Sequence, residues 1–427
     1  VYSWYINNDD WREKTLKIKS GTSDVNQEKP VNPERARELY GKNLKFSISR
    51  LEKYAQCPFA FFMQYGLKTR ERKIYELSPP DIGSFIHTIL DKFSVYTDEK
   101  GLKWRELGHE ECNEIVSSLV DDEVKNMSGS ILQSSARYKY FKKRLERMIS
   151  KAVWMIVLQI KRGGFEPVEH EVAFEENGKY PPISVDLPSG EKIKLVGRID
   201  RVDKLENEDG IYIRIVDYKS GNKAFDLSSI YNGLELQLLI YLDAILDYVS
   251  KNSSKPVFPG GILYFRVNDP MVPFREGMSD DDIEKEIMKE FKMRGLLLSD
   301  VKVVSEMDHQ IGNVSLTVPA GISSDGTFSR YSSVASCENF DGLRKHVKGK
   351  VVELCEQMLK GGIAINPYKR KKGTPCQYCS FKPVCRFDPA MKDNSYRIID
   401  EKSNDEVWGA LNKETSKKGG AENGMDA

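Results

Sequence analysis

Apolar and polar residues alternate most regularly along Ile211-Tyr-Ile-Arg-Ile-Val-Asp-Tyr-Lys-Ser-Gly221. A strand sends successive side chains to opposite faces, so Ile211, Ile213, Ile215, Asp217 and Lys219 share one face. Leu195-Val-Gly-Arg-Ile-Asp-Arg-Val-Asp203 reads as the preceding strand, with Glu206–Gly210 as the hairpin turn between them. Its alternation groups Ile193, Leu195, Gly197 and Ile199, and leaves Asp200 with Arg198, Val196 and Lys194. Alternation alone therefore does not put Asp200 beside Asp217. Either the strand is covered on both sides, or Gly197 marks a bulge that re-aims the acid. Val168–Phe174 and Gly261–Val267 have strand character as well.

Helical periodicity appears in several stretches. One follows Ser47, with Ser49 and Glu52 at capping-box spacing, and is broken at Pro58. A second starts near Asp81 and carries Ile82, Phe85, Ile86, Ile89 and Phe93. The longest spans about 132–162, with Tyr138, Phe141, Leu145, Met148, Ala152, Ile156 and Ile160 on one side. Lys139, Lys142, Lys143, Arg144, Arg147 and Lys151 crowd the remainder, a solvated face or a DNA-facing one. Others fall near 227–250, 281–293 and 340–360. A strand–strand–helix–strand order predicts an α/β fold, a mixed sheet with helices packed on it. Residues 1–45 read as a connector or the end of a preceding domain and 46–400 as one domain. Within that domain 270–335 looks like an insertion. Residues 401–427 are polar and Gly/Lys/Glu-rich, as in a disordered tail.

Composition narrows the picture little. The 427 residues carry a net charge of +1, so any nucleic-acid surface must be a local patch. No apolar stretch approaches the roughly 20 residues of a membrane span, and no signal-peptide pattern is present, which predicts a cytoplasmic protein without membrane attachment. Seven cysteines, an odd count in a long chain, argue against a disulfide framework. No Walker A pattern occurs, so an ATP-driven motor would have to be another polypeptide. The chain begins at Val1, which suggests a fragment of something longer.

Some residues carry chemistry. A carboxylate and an ammonium, Asp217 and Lys219, ending an apolar face avoid full burial unless paired. A divalent cation and a phosphate would satisfy both, and Asp200 offers a second carboxylate. This is the Asp…(Asp/Glu)-x-Lys constellation of metal-dependent nucleases. Gln237 and Tyr241 lie four apart on one helical face. Cys376, Cys379 and Cys385 form a tight trio that invites a metal, with Cys57 before Pro58 as the best fourth ligand among the remaining cysteines. Spacing alone does not choose between zinc and an iron–sulfur cluster. Cys112, Cys337 and Cys355 read as ordinary cysteines.

Taken in order, these pieces resemble the RecB-family PD-(D/E)XK nuclease domains, most closely those of the AddB type, over roughly Phe46 to Pro389. The resemblance rests on Ser47–Phe62, Gly-Ser-Phe-Ile-His (83–87), Gly-Arg-Ile-Asp-Arg-Val-Asp (197–203), Asp-Tyr-Lys-Ser-Gly (217–221), Gln-Leu-Leu-Ile-Tyr (237–241) and the cysteine trio. It implies a restriction-endonuclease-like fold, with the ends of the domain stapled by a [4Fe-4S] cluster on Cys57, Cys376, Cys379 and Cys385. It also implies Mg2+ or Mn2+ on His87, Asp200, Asp217 and the Tyr218 carbonyl. Lys219 would be the catalytic lysine, with Gln237 and Tyr241 orienting it and the DNA. The implied activity is exonucleolytic DNA cleavage at single-stranded ends, in recombinational repair, within a heterodimer with a helicase–nuclease subunit. A stand-alone nuclease and a non-catalytic DNA-binding scaffold are the alternative readings.

Overall fold

The computed structural model describes residues 2–422 apart from 23–28, 42–43, 71–77, 127–131, 133–134, 222, 274, 372 and 391–393, and gives no side chains for 21–22 or beyond 414. Its centre is β4, Lys192–Glu206, a strand long enough to serve two neighbourhoods. The first half pairs with β1 (Lys45–Ser47, parallel) and β3 (Ile183–Asp186, antiparallel). The second half pairs with β2 (Glu166–Phe174) and β5 (Ile211–Lys219), both antiparallel. The sheet continues through β6 (Val257–Arg266, parallel to β5), β7 (Arg294–Leu298, antiparallel) and β8 (Val334–Ala335, parallel).

The N-terminal segment holds α1 (Tyr2–Ile6), α2 (Asp9–Thr22) and α3 (Pro33–Tyr40). Only α3 contributes to the core, through Ala36 and Tyr40. Next come α4 (Ile48–Gln56), α5 (Pro58–Phe61) and a π-turn at Phe62–Gly66. The helices α6 (Pro79–Lys100), α7 (His109–Asn126) and α8 (Ala136–Lys161) pack together against one side of the sheet. After β5, α9 (Leu227–Tyr231) and α10 (Gln237–Lys251) lead back to β6. Further on lie α11 (Asp280–Glu290), α12 (Val301–Ser305), α13 (Cys337–Leu359), α14 (Lys382–Cys385) and α15 (Asn404–Glu422). No described helix is long and apolar enough to cross a membrane.

Two apolar cores lie on opposite sides of the sheet. In β5, Ile211, Ile213 and Ile215 enter the core under α10 and α13, whereas Tyr212, Val216 and Tyr218 enter the core under α6–α8. This explains why eight of the nine β5 residues are buried.

Three expectations need correcting. The stretch 270–335 is not a separate insertion, because β7 and β8 within it extend the main sheet and Leu296 and Leu297 reach the two cores. The expected disordered tail forms α15, whose Val407 and Leu411 are buried against α13; residues 423–427 lie outside the described ones. The Ser49–Glu52 capping box does not form. Ser47 is the N-cap of α4, and the Glu52 carboxylate instead accepts the Leu236 and Gln237 amides at 2.7 and 3.2 Å, capping α10.

Candidate active site

The register brings the two acids together. Arg201 pairs with Val216 and Val202 with Ile215, so the next step of the antiparallel ladder sets Asp200 opposite Asp217. The puzzle posed by the alternation resolves at that level. Ahead of it Ile193, Leu195 and Ile199 face the core under α10; beyond it Val202 does. The pattern has slipped by one at Ile199–Asp200. The neighbouring β2 slips at the same level, since Val172 and Phe174 face that core while His170 stacks on Trp104 of the other. Glu171 sits at the slip with φ of +46°, a left-handed conformation that glutamate rarely adopts. Such backbone costs about 1–3 kcal/mol and clusters at functional sites.

Gly197 has a different task from the bulge expected of it. A Cβ there would stand 1.8 Å from the Tyr241 hydroxyl. That hydroxyl accepts a hydrogen bond from the Arg198 amide at 3.1 Å, fastening α10 to β4 just before Asp200.

Around the acids, the His87 imidazole places Nδ1 3.3 Å from an Asp200 oxygen, and the Tyr218 amide donates to Asp200 at 2.6 Å. Lys219 forms an ion pair with Asp217, and the Gln237 amide donates to the other Asp217 oxygen at 3.4 Å. Gln237 thus reaches the acid, rather than the lysine as expected. Among the described residues, the one group of three metal-capable side chains with ligand atoms all within 4.8 Å of one another is His87, Glu171 and Asp200. The sequence reading missed Glu171. Asp217 lies outside that close group.

The electrostatics suit a cation. Burial, then Asp200, pushes the Asp217 carboxyl up to about 6 against the pull of Lys219. Burial, then Asp200 and Asp91, pushes Glu171 up to about 7 against the pull of Arg198. Burial pulls the His87 imidazole down, but Asp200 more than offsets it and leaves the pKa raised. Lys219 likewise ends raised, because Asp217 outweighs its burial. Three carboxylates crowded beside an imidazole, with few cations to balance them, are a donor set suited to a hard divalent ion.

Behind the site, on the opposite face of β4 and β5, three charges are buried. Asp203, fully enclosed, receives Arg201 Nη2 at 3.0 Å and Arg214 Nη2 at 2.6 Å, and Arg201 Nη1 lies 3.4 Å from the Tyr218 hydroxyl. The cluster ties β4 to β5 next to the acids.

The second predicted site is also assembled. Cys57, between α4 and α5, lines a cavity of about 390 Å3 together with Cys376, Cys379 and Cys385. Burial raises the Cys57 and Cys385 thiols. Tetrahedral zinc would draw its sulfurs to about 3.8 Å apart. No three of these thiols approach one another within 4.8 Å, so the ring is wider than a single ion needs. Cys112 and Cys355 are core residues and Cys337 packs at the edge of one core, as expected.

This geometry agrees with comparison to known proteins. The B subunit of the ATP-dependent helicase/deoxyribonuclease of Acetivibrio thermocellus is 47% identical over 414 residues, 97% of this chain and 36% of its own length. The protein of the same description from Clostridium novyi gives the same figures. That from Thermoanaerobacter pseudethanolicus is 46% identical over 419 residues, 98% of this chain and 36% of its own. The chain thus spans little more than a third of these relatives. The family model of the PD-(D/E)XK nuclease superfamily matches residues 45–386, a stretch that takes in both acids, the lysine and all four cysteines, and to that superfamily the chain belongs.

Proposed function

We propose that this chain is the nuclease domain of an AddB-type subunit and hydrolyses phosphodiester bonds in DNA with the aid of Mg2+ or Mn2+. The observation that carries the reading is the convergence of Asp200, Asp217 and Lys219 where β4 and β5 lie side by side. Asp200, Asp217, Glu171 and His87 would hold the cation, with the Tyr218 carbonyl as a further expected ligand. A divalent cation there supplies Lewis acidity toward a phosphoryl oxygen. The protein does the rest. Gln237 and Lys219 fix the two oxygens of Asp217. The Lys219 ammonium, kept charged by Asp217, stands where it can orient a water and offset the negative charge that grows in the transition state. Tyr241 keeps α10, and with it Gln237, in register with β4.

The four cysteines would hold a [4Fe-4S] cluster, whose size suits a ring too wide for one zinc ion. Such a cluster would join the start of the domain to its end. The relatives' description as helicase/deoxyribonuclease subunits supports DNA as substrate, an AddA-type helicase–nuclease subunit as partner and action in the cytoplasm on broken DNA ends. The test is cleavage of single-stranded DNA in Mg2+ by the wild type, Asp217→Asn and Lys219→Met. The variants should fold and lose at least a thousandfold in rate, roughly 4 kcal/mol of transition-state stabilisation. Wild-type rates in either variant would refute the assignment, and a wild type that binds DNA without cutting it would favour a scaffold.

A further inference from the structure

Basic residues on the long helix α8 are the ones a sequence reading nominates for DNA. Several of them are already neutralised. Lys142 pairs with Asp121, and Arg147 and Lys151 both pair with Asp269. The uncompensated cations lie elsewhere. An open trough of about 750 Å3 between α3, the π-turn and the cysteine knuckle is lined by Arg50, Lys68 and Arg70, together with Gln64, Tyr65 and Phe381. Glu38 is the one acid on its wall among the described residues. Within the described residues none of the three cations forms an ion pair.

The trough is built to present these charges. The Arg50 guanidinium lies 4.8 Å from the Tyr65 ring centroid, a stack that leaves its N–H edges free. Lys68 has φ of +55°, a left-handed turn directly after the π-turn. The following Thr69 locks that turn by donating both its amide and its hydroxyl to the Met63 carbonyl, at 3.0 and 2.7 Å. The trough is also tied to the active site. Arg50 is on α4, whose N-cap Ser47 pairs with Val196, four residues along β4 from Asp200. At about 3.3 Å per strand residue that is roughly 13 Å. Two residues after Arg50, Glu52 caps the helix that carries Gln237.

We infer that this trough is a second binding site, which holds the backbone of single-stranded DNA a few nucleotides from the bond being cut. Three unpaired cations along an open channel, with aromatic faces among them, match the combination that binds single strands without sequence preference. The inference rests on the nuclease reading for the identity of the polyanion.

The experiment measures binding of a fluorescent oligothymidylate to the purified protein in EDTA across a salt series. The proteins compared are the wild type, Arg50→Gln/Lys68→Gln/Arg70→Gln, and Lys142→Gln/Arg147→Gln as a control. Each phosphate no longer neutralised should lower the slope of log K against log salt by about 0.7 for a single strand, so the trough variant should fall by about 2. The control should keep the wild-type slope. In Mg2+ the trough variant should raise KM for long oligonucleotides and leave kcat unchanged. An unchanged slope in the trough variant, an equal fall in the control, or equal competition by polyglutamate of matched length would overturn the proposal. Because binding is read without metal, a protein that binds through the trough but never cuts would sink the nuclease reading alone.

Discussion

Replacing Glu171 by Gln should weaken metal binding and strengthen the metal-free fold. The change keeps the shape of the side chain and removes one charge. The ligand atoms of Glu171 and Asp200 lie within 4.8 Å of each other. At an effective dielectric of about 20, two ionised carboxylates at that separation repel by about 3.5 kcal/mol. Arg198, 3.2 Å from Glu171 but largely exposed, returns only a part of this. The sign against pH follows from the pKa. Glu171 is raised to about 7, so between its ordinary value near 4.5 and 7 the folded state holds a proton that the unfolded state has lost. Wild-type stability in EDTA therefore falls across that window as pH rises. The variant escapes this fall, and above pH 7 it should be more stable by about 1–3 kcal/mol. Below about pH 4.5 the two should converge. Removal of a metal-binding carboxylate should raise the Mn2+ dissociation constant at least about tenfold. Urea unfolding at several pH values and calorimetric Mn2+ titration read the two effects. A variant that binds Mn2+ as tightly as the wild type and is less stable at pH 8 would show Glu171 to be a structural partner of Arg198 and no more.

Gly197→Ala should cost about 2–4 kcal/mol in urea unfolding, since the new Cβ expels the Tyr241 hydroxyl and breaks its hydrogen bond. Combined with Tyr241→Leu the loss should be less than the sum of the two single changes, and strict additivity would contradict the close approach. Asp203→Asn leaves two buried guanidiniums sharing a neutral acceptor and should cost about 3–5 kcal/mol in urea unfolding, with a loss under about 1 kcal/mol arguing against the cluster as a tie between the strands. Cys379→Ser should remove bound iron and the brown colour. Cross-linking across roughly 330 residues is worth up to about 5–6 kcal/mol in the chain-entropy model, so the variant should also unfold at lower urea; colourless wild-type protein with one equivalent of zinc would displace the cluster.

The sequence disclosed the site unevenly, for physical reasons. Asp217, Lys219 and the Gln237–Tyr241 pair follow from simple periods, two on a strand and four on a helix, and the structure keeps those periods. Asp200 does not, because β4 changes phase at Ile199–Asp200, and such a slip depends on the strand's neighbours rather than on its own residues. Glu171 was missed for the same reason. It lies in Val168–Phe174, which looks like ordinary strand text, and nothing local announces a left-handed glutamate. Two adjacent strands, each with an acid out of phase at one level, would have been the usable signal. His87 was placed by resemblance alone, since on α6 it sits beside the apolar stripe and not within it. The stretch 270–335 was misjudged because Gly295-Leu-Leu-Leu298 is too short a run to stand out as a strand. In the tail, Val407 and Leu411 stand four apart among charges, a thin stripe that suffices to dock α15 on α13.

The most direct test is a crystal of the protein soaked in Mn2+, with anomalous scattering recorded at the manganese edge. A peak bounded by Asp200, Asp217, Glu171 and His87, within bonding distance of at least two of their carboxylates, is the predicted result. No peak there, with manganese bound at another place on the molecule, would contradict the account.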